Sequence, residues 1–206
     1  MSEFLLVRHG ETEWNREERF RGRTDLALTP RGRSQADAAA RAIARRWPHV
    51  TAVYSSGLRR AMDTARPVAR RLGVDVRAHP GLMDADYGDW QGKTPVEARR
   101  LYPDAFALWL SNPLAARFPG GESLADAQAR FLAMVDELAA VYPDQTLALV
   151  SHVAVSRAAL CALLGCGSAA FWRLDLRPAS VSAFRADSGQ YIVTLVNDVC
   201  HLHGIE

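Results

Sequence analysis

The stretch "FLLVRHGETEWN", residues 4–15, decides the fold, because it carries an apolar run directly into a cation, an imidazole and a glycine. Residues 4–7 are typical of a buried strand. The strand ends at Arg8 and His9, and Gly10 follows, where the missing side chain lets another group approach the backbone closely. Open α/β sheets bind their ligands at the carboxyl ends of strands. The stretch therefore predicts a binding site directly after the first strand.

Two later segments repeat this arrangement. "TAVYSS", residues 51–56, reads as a strand that leads to Arg59 and Arg60, and "QTLALVSHV", residues 145–153, ends on a serine and His152. Because the carboxyl ends of parallel strands lie along one edge of a sheet, we expect two imidazoles and two or three guanidinium groups to meet in one crevice. So positive a cluster favours a dianion, and phosphate is the first candidate.

Helical and strand-like segments alternate along the chain, which predicts an α/β fold: a three-layer α/β/α sandwich around a mostly parallel sheet. Thr29, Ser56 and Ser123 are placed to cap helices. Residues 180–185 and 190–196 flank a turn and predict a hairpin, which makes the sheet mixed. We expect a single domain over residues 1–206. Its turn-rich segment 86–122 should form a short lid insertion over the sheet edge, with a helical piece around 104–110.

Composition narrows the classes of partner and compartment. The 206 residues are 49% hydrophobic and carry a formal charge of +2 from interspersed arginines, which does not favour nucleic acid. The three cysteines, Cys161, Cys166 and Cys200, form no CxxC pattern, so we expect a reducing compartment and no structural metal. No segment resembles a signal peptide or a membrane span. The sequence predicts a cytoplasmic protein without membrane or nucleic-acid partners, and it leaves the oligomeric state open.

The opening stretch also suggests chemistry. A neutral imidazole is a competent nucleophile, and neighbouring arginines can neutralise the oxygens of a phosphoryl group. The carbonyl of Gly10 is free to bind the imidazole of His9 and thereby to select its tautomer. Phosphoryl transfer needs mainly positioning and charge stabilisation, which these side chains supply without a metal or another cofactor.

Seven motifs occur in an order that resembles the histidine phosphatase superfamily, also called the phosphoglycerate mutase-like family. They are "LVRHGETEWN" (6–15), "RFRGRTDLALTPRGRSQA" (19–36), "SSGLRRAMDTA" (55–65), "LMDADYGDWQG" (82–92), "FPGGES" (118–123), "LVSHVAVSRAAL" (149–160) and "NDVCHL" (197–202). The resemblance covers nearly the whole chain. It implies an enzyme that passes a phosphoryl group through a histidine.

The resemblance also implies roles for individual residues. His9 resembles the histidine that becomes phosphorylated. Arg8, Arg60 and His152 resemble the phosphate pocket, and Arg60 rather than Arg59 matches because the pocket arginine directly precedes an alanine. Two further positions resemble the substrate side of that pocket, namely Asn15 and Gly22.

The chain departs from the family pattern at the proton donor. The family usually has a glutamate three residues before an aromatic–glycine pair, and here Asp84 holds that place. A donor must protonate the leaving alcohol and then activate water, so its pKa has to be raised. Three other carboxyl groups are alternatives, namely Asp86, Asp89 and Glu11. A second departure is Val153, where the family commonly has glycine.

We expect a phosphomonoester hydrolase, metal-independent and acting through phosphohistidine on small phosphorylated metabolites, either broad in specificity or similar to α-ribazole phosphatases. The segment 93–122 is short, Pro95 stands where the family's mutases have lysine, and "FPGGES" resembles the phosphatase branches. Three alternatives remain: a cofactor-dependent phosphoglycerate mutase, a metal-dependent hydrolase using His9, His152 and the aspartates of 84–89, and a catalytically weak phosphate-binding regulatory module.

Overall fold

A computed structural model describes residues 1–205, and its centre is a mixed six-stranded sheet. The strands are β1 (Ser2–Arg8), β2 (Val50–Ser55), β3 (Val76–Ala78), β4 (Thr146–Ser151), β5 (Val181–Asp187) and β6 (Gln190–Asp198). Their order across the sheet is β3-β2-β4-β1-β5-β6. The first four strands run parallel to one another, and the β5–β6 hairpin joins β1 in antiparallel fashion. The predicted mixed, mostly parallel sheet is confirmed.

Helices connect the strands and cover the sheet. They are α1 (Glu13–Arg16), α2 (Pro30–Arg46), α3 (Arg59–Leu72), α4 (Pro95–Leu101), α5 (Pro103–Ser111), α6 (Leu124–Val141) and α7 (Val153–Leu163). The hydroxyl oxygen of Thr29 accepts a hydrogen bond from the Gly32 amide, and Ser123 forms a reciprocal capping box with Asp126, as their sequence positions predict. Gly73 ends α3 at φ 70°, a conformation that favours glycine.

The alternating side chains of the central strands separate two hydrophobic cores. Leu5 and Val7 of β1 pack with α2 and α3 on one face. Phe4 and Leu6 point the other way and pack with α6 and α7. All four side chains are almost completely buried, and burial of such a side chain stabilises a fold by about 1.5–3 kcal/mol. The sheet therefore lies between two helical layers, which confirms the predicted α/β/α sandwich.

The segment 86–122 has a core of its own. The ring of Trp90 is fully buried, with its centroid 5.1 Å from those of Phe20 and Phe118 and 5.6 Å from that of Phe106. This aromatic cluster also contains Cys161 of α7. Most aromatic residues of the lid are thus core residues that attach the segment to the sandwich.

Three local features differ from the sequence-based expectations. Strand β3 and helix α4 were not predicted, because β3 is a three-residue edge strand with largely exposed side chains and α4 has only two turns. The prediction that Ser56 caps α3 is wrong: Leu58 holds the N-cap position and makes no side-chain cap. The Ser56 hydroxyl instead contacts His152.

The loop after β1 is pressed against the start of α2. A Cβ atom on Gly10 would lie 2.4 Å from the carbonyl oxygen of Gly32, and a Cβ atom on Gly32 would lie 2.1 Å from that of Glu11. Because neither Gly10 nor Gly32 has a side chain, the two backbones can pack this closely. The loop that carries His9 is therefore held between β1 and α2. Within residues 1–205, no helix combines the length and apolar character needed to cross a bilayer.

Candidate active site

The carboxyl ends of β1 and β4 bring two histidines together. The sheet register places Arg8 opposite Ser151, and the backbone amide of His9 donates to the Ser151 carbonyl over 3.0 Å. The next residues are His9 and His152, whose ring centroids lie 5.1 Å apart at an interplanar angle of 55°. Both imidazoles are fully buried. The convergence that the strand ends predicted is present.

The hydrogen bonds of His9 define its tautomer. Its Nδ1 lies 2.7 Å from the carbonyl oxygen of Gly10, which can only accept, so Nδ1 carries the proton. Its Nε2 makes no hydrogen bond with any residue of the described chain. Burial lowers the pKa of His9 well below its usual range, and the charges of Arg60 and Arg8 lower it further. The imidazole is therefore neutral at pH 7, with an unprotonated Nε2.

Arg60 is fully buried in the first turn of α3, where β2 delivers it. Its guanidinium donates to the carbonyl oxygens of Thr24 and Gly22, each over 2.7 Å, and to Oδ2 of Asp84 over 3.0 Å. Gly22 has φ 50°, and a Cβ atom there would lie 2.4 Å from the side-chain oxygen of Gln91. Gly22 therefore acts through its backbone, by holding the guanidinium of Arg60 in place.

Asp84 lies between Arg60 and the second histidine. Its Oδ1 accepts from the Ala85 amide over 2.9 Å, and its Oδ2 lies 3.6 Å from Nδ1 of His152. Burial raises the pKa of Asp84, although the charges of Arg60 and Arg21 oppose that shift. Burial destabilises the charged carboxylate more than the neighbouring cations and hydrogen bonds stabilise it. Asp84 is therefore suited to hold and donate a proton.

His152 is oriented by a residue that was expected to cap a helix. Its Nε2 lies 2.8 Å from Oγ of Ser56, the last residue of the predicted second strand and the first after β2. Burial, followed by the charge of Arg60, lowers the pKa of His152 well below its usual range. The position of Ser56 at a strand end was the sequence signal for this contact. The contact itself could not be predicted, because Ser56 and His152 are 96 positions apart in the sequence.

A cavity of about 390 Å³ opens beside this cluster. Arg8 and Asn15 lie on its wall. Arg8 donates to the carbonyl oxygen of Leu176, and burial together with the charges of Arg21 and Arg157 lowers its pKa to about 9. Asn15 uses its side-chain oxygen to cap α1 by accepting from Thr12, so its amide group stays available.

Sequence reasoning missed Arg21, which also lies on the cavity wall. Its guanidinium donates to the carbonyl oxygens of Trp14 and Arg19, which anchors it to the loop after α1. The charge of Arg21 lowers the pKa of both His9 and His152. The sequence signal for Arg21 was its position directly before Gly22, which was predicted to lie on the substrate side of the phosphate pocket.

Comparison with known proteins decides the family. The model of the histidine phosphatase superfamily (branch 1) matches residues 4–199. The chain belongs to this family. Phosphoserine phosphatase 1 of Hydrogenobacter thermophilus is 34% identical over 202 residues, which are 98% of this chain and 95% of that protein. Glucosyl-3-phosphoglycerate phosphatase of Mycolicibacterium vanbaalenii is 38% identical over 168 residues, 78% of this chain and 73% of that protein.

The fold agrees with this assignment. The structure of Bacillus stearothermophilus YhfR superposes with a TM-score of 0.90 and 29% identity, covering 100% of both chains. The predicted family and fold class are confirmed, and this histidine phosphatase is a phosphomonoester hydrolase. Because both named relatives are phosphatases, hydrolysis is favoured over the mutase alternative. The roles of the individual site residues stay predictions.

The alternative carboxyl groups of the histidine phosphatase are held elsewhere. Glu11 accepts from Thr29 and Arg31, Asp86 caps the Gly88 amide over 3.0 Å, and Asp89 accepts from the hydroxyl of a tyrosine in the lid. These contacts fix loops and lid. Of the four carboxyl groups, Asp84 is the one that lies beside His152.

The side chains that the metal-dependent alternative requires do not form a metal site in the described part of the chain. Across the described residues, no group of three or more histidine, cysteine, aspartate or glutamate side chains is arranged to hold a metal ion. The guanidinium of Arg60 lies 3.0 Å from Oδ2 of Asp84, one of the carboxylates that the metal-dependent alternative would use. A guanidinium at that point supplies the positive charge itself.

Replacement of Arg60 by leucine should lower the free energy of unfolding by about 3–5 kcal/mol at pH 7, because the Asp84 carboxyl group and the carbonyl oxygens of Thr24 and Gly22 would lose their buried partner. Urea denaturation measures this loss. Arg66→Leu, on the same helix but in an exposed pair with Asp63, should cost less than about 1 kcal/mol. Equal losses in the two variants would show that the buried pair has no special weight.

Proposed function

We propose that this histidine phosphatase hydrolyses a small phosphorylated metabolite through a phosphohistidine formed at Nε2 of His9. The supporting observation is the state of that ring. Its Nδ1 proton is bound by Gly10, its pKa is lowered, and its Nε2 is unprotonated beside Arg60 and Arg8. A neutral nitrogen lone pair next to two cations is suited to attack a phosphorus atom whose oxygens those cations neutralise.

In the first step the Nε2 lone pair forms a bond to phosphorus and the ester P–O bond breaks. The electron pair of that bond leaves with the alcohol oxygen, which takes the proton of Asp84. Arg8, Arg60 and His152 bind the phosphoryl oxygens, and Asn15 adds its amide hydrogens. Gly22 contributes indirectly, since its carbonyl oxygen holds the guanidinium of Arg60.

In the second step water attacks the phosphorylated His9. The Asp84 carboxylate takes a proton from the water, a P–O bond forms, and the P–N bond breaks to return the electron pair to Nε2. Inorganic phosphate leaves, and both residues regain their starting states. The raised pKa of Asp84 suits this double role, because the group must be protonated in one step and ionised in the next.

Hydrolysis of p-nitrophenyl phosphate, with and without EDTA, tests the proposal when it is combined with an alkaline denaturing quench that preserves phosphohistidine. We expect turnover that is indifferent to EDTA and an acid-labile, base-stable phosphoryl group that maps to His9. Turnover that EDTA abolishes would support the metal-dependent alternative. Phosphate binding without turnover of any phosphomonoester would support the regulatory module.

The dependence of kcat/KM on pH should follow the two shifted groups. The pKa of His9 is lowered, so the neutral nucleophile persists to lower pH, and the acid limb should lie below about 6.5. The pKa of Asp84 is raised, so the proton donor persists to higher pH than an ordinary aspartic acid would allow. Asp84→Asn should therefore remove the alkaline limb and keep the acid limb, when both enzymes are measured with the same substrate.

We further propose that the enzyme works in the cytoplasm. Cys161, Cys166 and Cys200 are all unpaired in the described chain, and two of them are exposed. Exposed thiols are typical of proteins in a reducing compartment.

A further inference from the structure

We propose that Arg157 selects the substrate by binding a carboxylate on the leaving group. This inference rests on the proposed function, because it assumes that the phosphoryl group of the substrate lies at His9. Arg157 belongs to α7, the helix that begins directly after His152, and it lies on the wall of the 390 Å³ cavity together with Arg8. The two arginines therefore face the same bound molecule.

The guanidinium of Arg157 is oriented before any ligand binds. Its Nε donates to the carbonyl oxygen of Leu174 over 2.6 Å. Its Cζ lies 5.8 Å from the ring centroid of Phe171 and 5.7 Å from that of Trp172. One hydrogen bond and two aromatic rings thus hold the planar group against the cavity wall.

The outer part of this guanidinium has no partner in the described chain. Its two terminal nitrogens make no hydrogen bond there, and within residues 1–205 no carboxylate lies within 4 Å of it. The opposing charge with the largest effect on it is that of Asp175, which is exposed, and burial still lowers the pKa of Arg157. An arginine stays charged under these conditions, so the site favours an anion from the ligand.

Two other arginines of the site, Arg60 and Arg8, belong to the phosphoryl group. Arg60 donates to two carbonyl oxygens and Asp84, and it belongs with His9 and the phosphoryl group. Arg8 precedes His9 in the chain and shares that role. Arg157 is close enough to Arg8 for its charge to affect the Arg8 pKa, yet it lies on a different element of the cavity wall. It is therefore placed to meet the leaving group rather than the phosphorus atom.

The shape of the ligand follows from the cavity. A volume of about 390 Å³ lies in the range of pockets that enclose a whole small molecule, and it leaves room beyond a phosphoryl group. A fork of terminal N–H groups matches the two oxygens of a planar carboxylate. Aromatic side chains, Tyr87 and Trp109 among them, also line the cavity and favour an apolar or flat body. The substrate class is thus a phosphomonoester whose alcohol carries a carboxylate.

Matched pairs of esters that differ in the carboxylate test this assignment. O-phosphoserine against O-phosphoethanolamine, and 3-phosphoglycerate against glycerol 3-phosphate, are suitable pairs. In the wild type we expect kcat/KM to favour the carboxylated ester by about 10- to 100-fold, the value of a charge-assisted hydrogen bond. In Arg157→Leu the preference should fall to within about 3-fold, mainly through KM for the carboxylated ester.

Two control variants separate recognition from folding. Arg157→Lys keeps the charge but loses the fork, and it should give an intermediate preference. Arg173→Leu removes an exposed charge from the neighbouring segment Ser168–Arg173, and it should keep the wild-type preference. A general structural effect would lower kcat/KM for both members of a pair equally and leave their ratio unchanged.

Two results would overturn the assignment: a wild-type ratio near one, or the same ratio in wild type and Arg157→Leu. Calorimetric binding of the same esters to His9→Ala measures the ratio without turnover. A preference that depends on Arg157 in this binding measurement, with no phosphohistidine in the wild type, would reject the proposed function alone. Phosphohistidine with no dependence on Arg157 would reject this inference alone.

Discussion

Replacement of His9 by alanine should reduce kcat/KM for p-nitrophenyl phosphate by about 10⁵-fold, the scale on which removal of a covalent nucleophile acts. The side chain at this position supplies the only nitrogen in the proposed mechanism that bonds to phosphorus. Water in its place would lack both the oriented lone pair and the proximity that Nε2 has by its position at the end of β1. We therefore expect this variant to lose both steady-state turnover and the trapped phosphoprotein.

The control for this prediction is His79→Ala. His79 lies outside the active site, where its Nδ1 accepts from the Gly81 amide, and its loss should change kcat/KM by less than about 3-fold. Because His9 is fully buried, His9→Gln serves as a second variant that fills more of the space, and circular dichroism checks that both are folded. More than 1% residual activity in a folded His9 variant would reject His9 as the nucleophile.

Replacement of Asp84 by asparagine should lower kcat/KM by about 10²- to 10⁴-fold for an alkyl phosphate and by less than about 10-fold for p-nitrophenyl phosphate. An alkoxide needs a proton in order to leave, whereas p-nitrophenolate is stable without one. With the nitrophenyl ester the first step should therefore proceed, and the second step should slow because water loses its base. A pre-steady-state burst of p-nitrophenol, with accumulation of phosphoprotein, is the expected signature.

Asp84→Glu is the informative partner of that variant, since it retains a carboxyl group and has the longer side chain usual in the family. It should recover activity on alkyl phosphates to within about 10-fold of the wild type. Asp86→Asn is the matched control, because Asp86 caps a turn and contacts neither histidine. Equal losses of Asp84→Asn on both ester types would assign Asp84 a structural role, through its pair with Arg60, and would reject it as the proton donor.

Much of the site could be predicted because it depends on local rules. An apolar run ending on polar residues marks a strand and its carboxyl end, and parallel strands must bring those ends to one edge. Arg8, His9 and His152 are adjacent to such ends, so their convergence followed from the chain itself. Arg60 required one further step, since it lies in the first turn of the helix after β2.

Other contacts could not be predicted, because they join residues far apart in sequence and depend on how whole elements pack. The sequence allowed Ser56 either to cap α3 or to turn inward. In the structure it turns inward, because β4 places His152 within hydrogen-bond distance of its hydroxyl group. The partners of Arg157 come from a 3₁₀ segment and the turn after it, which no periodicity marks. The orientation of Arg157 could therefore be read only from the packed structure.

The amino-acid sequence by itself determined the α/β sandwich and the sheet edge at which His9 and His152 meet, because hydrophobic periodicity and strand direction are properties of short segments. Only the tertiary structure decided the state of those groups. Burial raises the pKa of Asp84 and lowers that of His9, and the packing of the segment after α7 leaves the terminal nitrogens of Arg157 without a hydrogen-bond partner in the described chain. Desolvation and long-range contact arise when separate elements come together, and they set which of the assembled side chains are neutral, charged or free to bind.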